Sequence, residues 1–167
     1  MDFKKLSDQY RDELLNNVLP FWLQNSQDKE FGGYFTCLDR EGKVFDTDKF
    51  IWLQGREVWM FSMLYNKVEK RQEWLDCAVQ GGEFLKKYGH DGNYNWYFSL
   101  DRSGRPLVEP YNIFSYTFAT MAFGQLSLAT GNQEYADIAR KTFDIILSKV
   151  DNPKGKWNKL HPDTRNL

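Results

Sequence analysis

A stretch of the chain returns in altered form further along: "YFTCLDREGK" at 34–43 reappears as "YFSLDRSGR" at 97–105. Leu38, Asp39, Arg40 and Gly42 recur as Leu100, Asp101, Arg102 and Gly104, 62 residues later. "QEWLD" at 72–76 likewise returns as "QEYAD" at 133–137, 61 residues later, and each copy opens a helical pattern. Self-similarity at a fixed spacing constrains the fold more than composition does, because each unit must bury its apolar face against its neighbours.

The repeat predicts two units, about 31–90 and 94–150. Each reads as a short β-hairpin with a Gly-containing turn, a helix, a short break and a second helix. In the first unit the hairpin covers about Gly33 to Phe45, and the helices run from Lys49 to Asn66 and from Gln72 to Tyr88. In the second, a hairpin near Trp96 to Val108 precedes helices from Asn112 to Thr130 and from Asn132 to Val150. An opening helix, from near Phe3 to Leu19 and stopped by Pro20, comes before both.

The two helices of a unit differ in character. Ile113, Phe114, Phe118, Met121, Ala122, Phe123 and Leu126 leave little of the first for water, whereas Glu134, Asp137, Arg140, Lys141 and Asp144 give the second a polar face. An inner helix followed by an outer one is the pattern of an all-α, double-walled α/α toroid or barrel with hairpins capping one end; a straight helical solenoid accounts for the same pattern without a cavity. Two units and a leading helix do not close a ring. The chain is therefore expected to be the first part of a longer protein, or to complete itself by pairing with a second copy as a homodimer.

The 167 residues, 41% hydrophobic and 17% aromatic, suffice for the core of a single domain. With 22 basic against 23 acidic residues and a net charge of -1, nothing favours nucleic acid or an anionic membrane surface, so the expected partner is a small molecule. Cys37 and Cys77 make neither a disulfide framework nor a zinc motif, and no metal is expected. "MDFKKLSDQYRDELL" lacks the apolar core of a signal peptide and no stretch is long enough to span a bilayer, which leads us to expect a soluble, cytoplasmic protein.

In "DKFIWLQGREVWMFSMLYN", Arg56 lies one turn after Trp52 and three residues before Trp59, on one face of an otherwise apolar helix. Facing a cavity, indoles and a guanidinium suit a sugar, the rings stacking on C–H faces and the cation meeting oxygen. Alternatively Arg56 pairs with a carboxylate and stacks on Trp52 for stability alone. In the second inner helix Phe114, Ser115 and Phe118 are substrate-facing candidates, with core packing or a backbone hydrogen bond from Ser115 as the plainer alternatives. Asn112 reads as an N-cap. His90 and His161 fall in loops, so no nucleophile–histidine arrangement can be argued. "PKGKWNK" at 153–159 lacks the spacing of a phosphate loop. Asp39 and Asp101 fit turn chemistry.

"GGYFTCLDREGKVFDTDKFIWLQGREVWMFSMLYN", with "GGEFLKKY" and "NIFSYTFATMAFGQL", resembles the N-acylglucosamine 2-epimerase (renin-binding protein-like) family. The resemblance runs from about Leu19 to the end. It implies an incomplete (α/α)6 barrel and interconversion of N-acetylglucosamine with N-acetylmannosamine: ring opening, removal of the C2 proton, and its return to the other face of an enolate-like intermediate. Arg56 matches the arginine that steadies the oxygen gaining charge. Trp52 and Phe114 are the sugar-facing walls, with Ser115 and Phe118 beside them. No cofactor is implied, although some relatives need a nucleotide activator. The family's two proton-carrying histidines lie in later inner helices without a counterpart here, and Tyr116 stands where some relatives carry an acid. The chain thus resembles the N-terminal part of an epimerase, inactive alone. A catalytically dead carbohydrate-binding module and a mannose- or cellobiose-type epimerase are the alternatives.

Overall fold

A computed structural model of the chain describes residues 1–110 and 113–149. Asn112, His161, Val150 and the 153–159 segment lie outside the described residues.

The chain opens with α1 (Phe3–Glu13), N-capped by the Asp2 carboxylate accepting from the Lys5 N–H, and continues as α2 (Leu19–Asn25). Pro20 does not stop this helix as the sequence reading has it. A π-helical turn over Leu14–Val18 leads into α2, and Pro20 sits in the first turn of α2, where no intrahelical N–H is required of it.

Each unit then follows its expected order. The first has β1 (Cys37–Leu38) paired with β2 (Val44–Asp46), then α3 (Ile51–Lys67) and α4 (Gln72–Tyr88). In the second, β4 (Ser99–Leu100) pairs with β5 (Pro106–Val108), and α5 (Phe114–Thr130) and α6 (Gln133–Ser148) follow. Asp39 and Asp101 do act as turn residues, Asp39 accepting from the Glu41 and Lys43 N–H groups and Asp101 from Arg105 N–H and the Ser103 hydroxyl. The start of the first inner helix needs correction. Lys49–Phe50 is a strand, β3, which pairs with β4 to make a three-stranded sheet, so the second hairpin is bonded to the base of α3. The apolar run after Lys49 carries the helical period, but cross-strand bonding claims its first two residues.

Lys49 shows why this junction is firm. Its ammonium is fully buried and donates to Asp28 Oδ2 at 2.9 Å, to the Gly32 carbonyl at 2.6 Å and to the Arg102 carbonyl at 2.8 Å. Arg102 grips the same carboxylate with two nitrogens, at 2.9 and 3.1 Å. Burial pushes the Asp28 pKa up, but the hydrogen bonds from Arg102 and Lys49 outweigh it and hold it at about 2. The repeat partner of Arg102, Arg40, is exposed, so one position of the repeat ties the units together and the other does not.

The core lies between the helices: α3 packs along α4 and α5, and α5 along α6. Ser115, Ala119, Ala122 and Leu126 form a buried stripe at helical spacing on α5, while Tyr116 and Phe123 reach toward Trp96 and Tyr135. Two glycines of α4 admit large neighbours. A Cβ at Gly81 would lie 2.2 Å from the Tyr34 hydroxyl, and one at Gly82 would lie 2.3 Å from Leu126 Cδ2. The Tyr34 hydroxyl thereby reaches the Cys77 carbonyl at 2.7 Å. Inner and outer helices in alternation, with the hairpins at one end, form an arc of an α/α toroid. Among the described residues no helix is long and apolar enough to cross a membrane, and no cluster of metal-ligating side chains occurs.

Candidate functional site

The site is assembled at the N-terminal half of α3, which three contacts hold. β3 anchors its start. The buried Gln54 amide pairs with the backbone of Tyr34, accepting from its N–H and donating to its carbonyl, both at 2.8 Å. In this way the first hairpin is clamped to the helix two residues before Arg56. The third contact depends on Gly55: a Cβ there would meet the Phe118 backbone at 3.0 Å, so any larger residue would press α5 away from α3 by a few tenths of an ångström.

That crossing brings the Phe118 ring over Arg56. The guanidinium carbon lies 4.7 Å from the Phe118 ring centre and 4.9 Å from that of Trp52, with the two rings 6.1 Å apart. Trp52 is half-buried and the arginine is exposed. No carboxylate pairs with Arg56 among the described residues. Half of the purely structural alternative therefore holds, since Arg56 does stack on Trp52, but its charge is left for something other than an ion pair. The second ring comes from Phe118 on the neighbouring helix and not from Trp59. Of the other candidates, Phe114 is exposed one turn before Phe118, and Ser115 is buried in the stripe of α5 beside α3, 2% exposed.

His90 stands apart. Its ring stacks on Tyr94 at 4.8 Å and meets Trp96 edge-on at 4.8 Å, and Nδ1 accepts from the Gly92 N–H at 3.0 Å. Burial lowers its pKa. It is a neutral loop support and more buried than the solvated turn residue of the sequence reading.

Beside Arg56 a cavity of about 250 Å³ opens between α2, the first hairpin and α3, lined by Trp22, Thr36, Leu53, Arg56, Glu57 and Met60. Sequence reasoning passed over Glu57. The signal was available, an acid in register with Leu53 and Met60 on a helix with little solvent face. Glu57 is 7% exposed, and burial pushes its pKa up to about 8, which leaves it a neutral carboxylic acid at pH 7. The Ser26 hydroxyl donates to Glu57 Oε1, and the Trp22 carbonyl, 2.7 Å from the Ser26 hydroxyl oxygen, also accepts from the Ser26 N–H at 2.9 Å. Two larger hollows, beside α1 and beside the exposed face of α4, are lined largely by charged and polar side chains and do not include Arg56.

The fold and the stacked cation define an α/α-toroid protein with an aromatic-walled cationic site on an inner helix. The family model of N-acylglucosamine 2-epimerase matches residues 33–166, and the chain belongs to that family. It is 44% identical to the N-acylglucosamine 2-epimerase of Mus musculus over 146 residues, 84% of this chain and 35% of the relative. The Cellobiose 2-epimerase of Dictyoglomus turgidum is 28% identical over 167 residues, 95% of this chain and 42% of that protein. Among solved structures, Cellobiose 2-Epimerase from Bacillus thermoamylovorans superposes with a TM-score of 0.78 at 28% identity, covering 87% of this chain and 37% of the other. The chain thus spans about a third of the length of the curated N-acylglucosamine epimerases that it matches.

Proposed function

We propose that the chain supplies the electrostatic part of a sugar 2-epimerase site, acting on N-acylglucosamine and N-acylmannosamine. One observation carries the reading: a guanidinium held between two rings, free of any carboxylate among the described residues, on the helix that carries the family resemblance. Removing the proton at C2 of the opened sugar shifts negative charge onto the carbonyl oxygen. A cation already fixed in place stabilises that charge without reorganising as it forms, and loss of one such group typically costs 100- to 1,000-fold in rate. Trp52 and Phe118 hold the guanidinium plane, and Phe114 extends the apolar surface that a sugar's C–H face can meet. The identity of 44% to an N-acylglucosamine epimerase, against 28% to a cellobiose epimerase, supports the N-acyl substrate. Free Cys37 and Cys77 support a reducing, cytoplasmic setting for amino-sugar metabolism.

A second reading is favoured by the position of His90. With that imidazole committed to a stack with Tyr94 and Trp96, no described histidine accompanies Arg56, which suits a module that binds sugar without turning it over. Proton NMR of N-acetylmannosamine with the chain in deuterated water separates the two. Loss of the C2 proton signal, abolished by Arg56→Ala, is the epimerase result; sugar-dependent change in Trp fluorescence without that loss is the binding-module result. Exchange that survives Arg56→Ala contradicts the role given to the arginine.

A further inference from the structure

The repeat lets the contacts inside the chain be carried onto its edges. Phe61 and Leu64 of α3 recur at an offset of 62 as Phe123 and Leu126 of α5, and all four are buried. α3 meets α5 through Trp52 and Gly55, which pack on Phe118, and through Asn66, whose amide donates to the Gln125 carbonyl at 3.0 Å. Trp59 shares that helical face, between Gly55 and Asn66. At the same offset, the counterparts of Trp59 and Asn66 are Met121 and Leu128, which are 36% and 70% exposed. The outer layer agrees. On α4, a Cβ at Gly82 would meet Leu126, and Lys86 bonds to Glu134; at the offset of 61 that relates α4 to α6, their counterparts are Phe143 and Leu147, both exposed. The face by which the first unit holds the second thus returns on the second unit as an exposed apolar row.

The opposite edge carries the matching socket. Phe118, Ala122 and Gln125, on the side of α5 that meets α3, are the counterparts of Arg56, Met60 and Met63. Arg56 and Met60 line the cavity beside α2, together with the apolar Trp22 and Leu53. We infer that a second copy of the chain docks head to tail, its exposed row on α5 and α6 seating on this edge of the first unit in the way that α3 and α4 seat on α5 and α6 within one copy. The contact continues the interface between units and uses two different surfaces, so each added copy leaves one further edge open. It sets Thr117 of the second copy, the counterpart of Gly55, against Arg56, the counterpart of Phe118. A second copy therefore borders the Arg56 site.

Sedimentation equilibrium on the full chain and on edge variants tests this. Met121→Glu with Leu128→Glu blocks the row, and Met60→Glu blocks the socket. Each protein alone should self-associate about tenfold more weakly than the parent, whereas a mixture of the two should form a one-to-one heterodimer, because each keeps the edge that the other has lost. A parent chain that stays monomeric, either variant associating as the parent does, or a mixture that fails to associate overturns the inference. Tyr10→Glu on the exposed row of α1 should leave association unchanged; its loss would give the contact to α1 and overturn the inference as well. If Met60→Glu does not fold, a cross-link decides. The bond between Asn66 and Gln125 has Leu128 and Met63 as its counterparts between copies, so oxidising a mixture of Leu128→Cys and Met63→Cys should give the mixed 63–128 disulfide by mass spectrometry, in about tenfold excess over either self-disulfide. Absence of that excess overturns the inference.

Discussion

At the scale of single residues, two neighbours on one helix turn have opposite fates. Arg56 stays exposed and stacks on Trp52 and Phe118, whereas Glu57 is buried and gives up its charge because burial penalises the carboxylate. The second effect has a consequence for stability. Below pH 4.5, the ordinary value for such a carboxyl, Glu57 is protonated both folded and unfolded; between there and about 8 the unfolded chain releases a proton that the folded chain keeps. Stability should accordingly fall as pH rises through that window, by on the order of a few kcal/mol. The groups facing Glu57 do not compensate, because burial pushes the pKa of the Tyr34 hydroxyl and the Cys77 thiol up as well and leaves both neutral. Urea midpoints at pH 5 and pH 8 should drop less in Glu57→Gln than in the parent; equal drops would contradict a buried neutral acid. His90, with its lowered pKa, pulls in the opposite sense but is common to both proteins, so the difference isolates Glu57.

At the scale of elements, glycines and buried polar groups decide how closely the helices meet. A Cβ at Gly81 would press on the phenol of Tyr34, which is fully buried and tied to the Cys77 carbonyl. Gly81→Ala should therefore destabilise by about 1–3 kcal/mol despite alanine's better helix propensity, and a raised urea midpoint would refute the contact. Asp28→Ala leaves the Lys49 ammonium buried with carbonyls alone, and a loss of about 3–5 kcal/mol is expected by chemical denaturation. A loss below about 1 kcal/mol would show that the ion pair does not tie the hairpins together. These contacts also mark what the sequence could reveal. Hairpins and helix order were legible because a repeat imposes them. The strand pairing at Lys49 was not, because its partner lies 51 residues away and only tertiary contact joins them. Nor was the helical passage through Pro20, since a π turn leaves no mark in the hydrophobic period. Arg56 stood out as a cation in an apolar run, but Phe118 could be set over it only by the crossing at Gly55, and Glu57 escaped notice because its partner Ser26 is on another helix.

At the scale of the whole molecule, rows of apolar side chains are exposed among the described residues. Phe3, Leu6, Tyr10, Leu14 and Val18 recur along α1 and the turn after it, all exposed, and Phe114, Met121 and Leu128 are exposed on α5. Contiguous patches of this kind promote association. Light scattering should find the chain self-associated and hydrophobic dyes should bind it, whereas a monodisperse, dye-silent monomer would contradict the open arc. The central claim, that Arg56 between Trp52 and Phe118 meets sugar oxygen, is tested most directly by titrating N-acetylmannosamine into the parent chain and Arg56→Ala while following Trp fluorescence, with circular dichroism showing both folded. The account predicts saturable change in the parent and at least tenfold weaker binding in the variant. Equal affinity in the two proteins would contradict it.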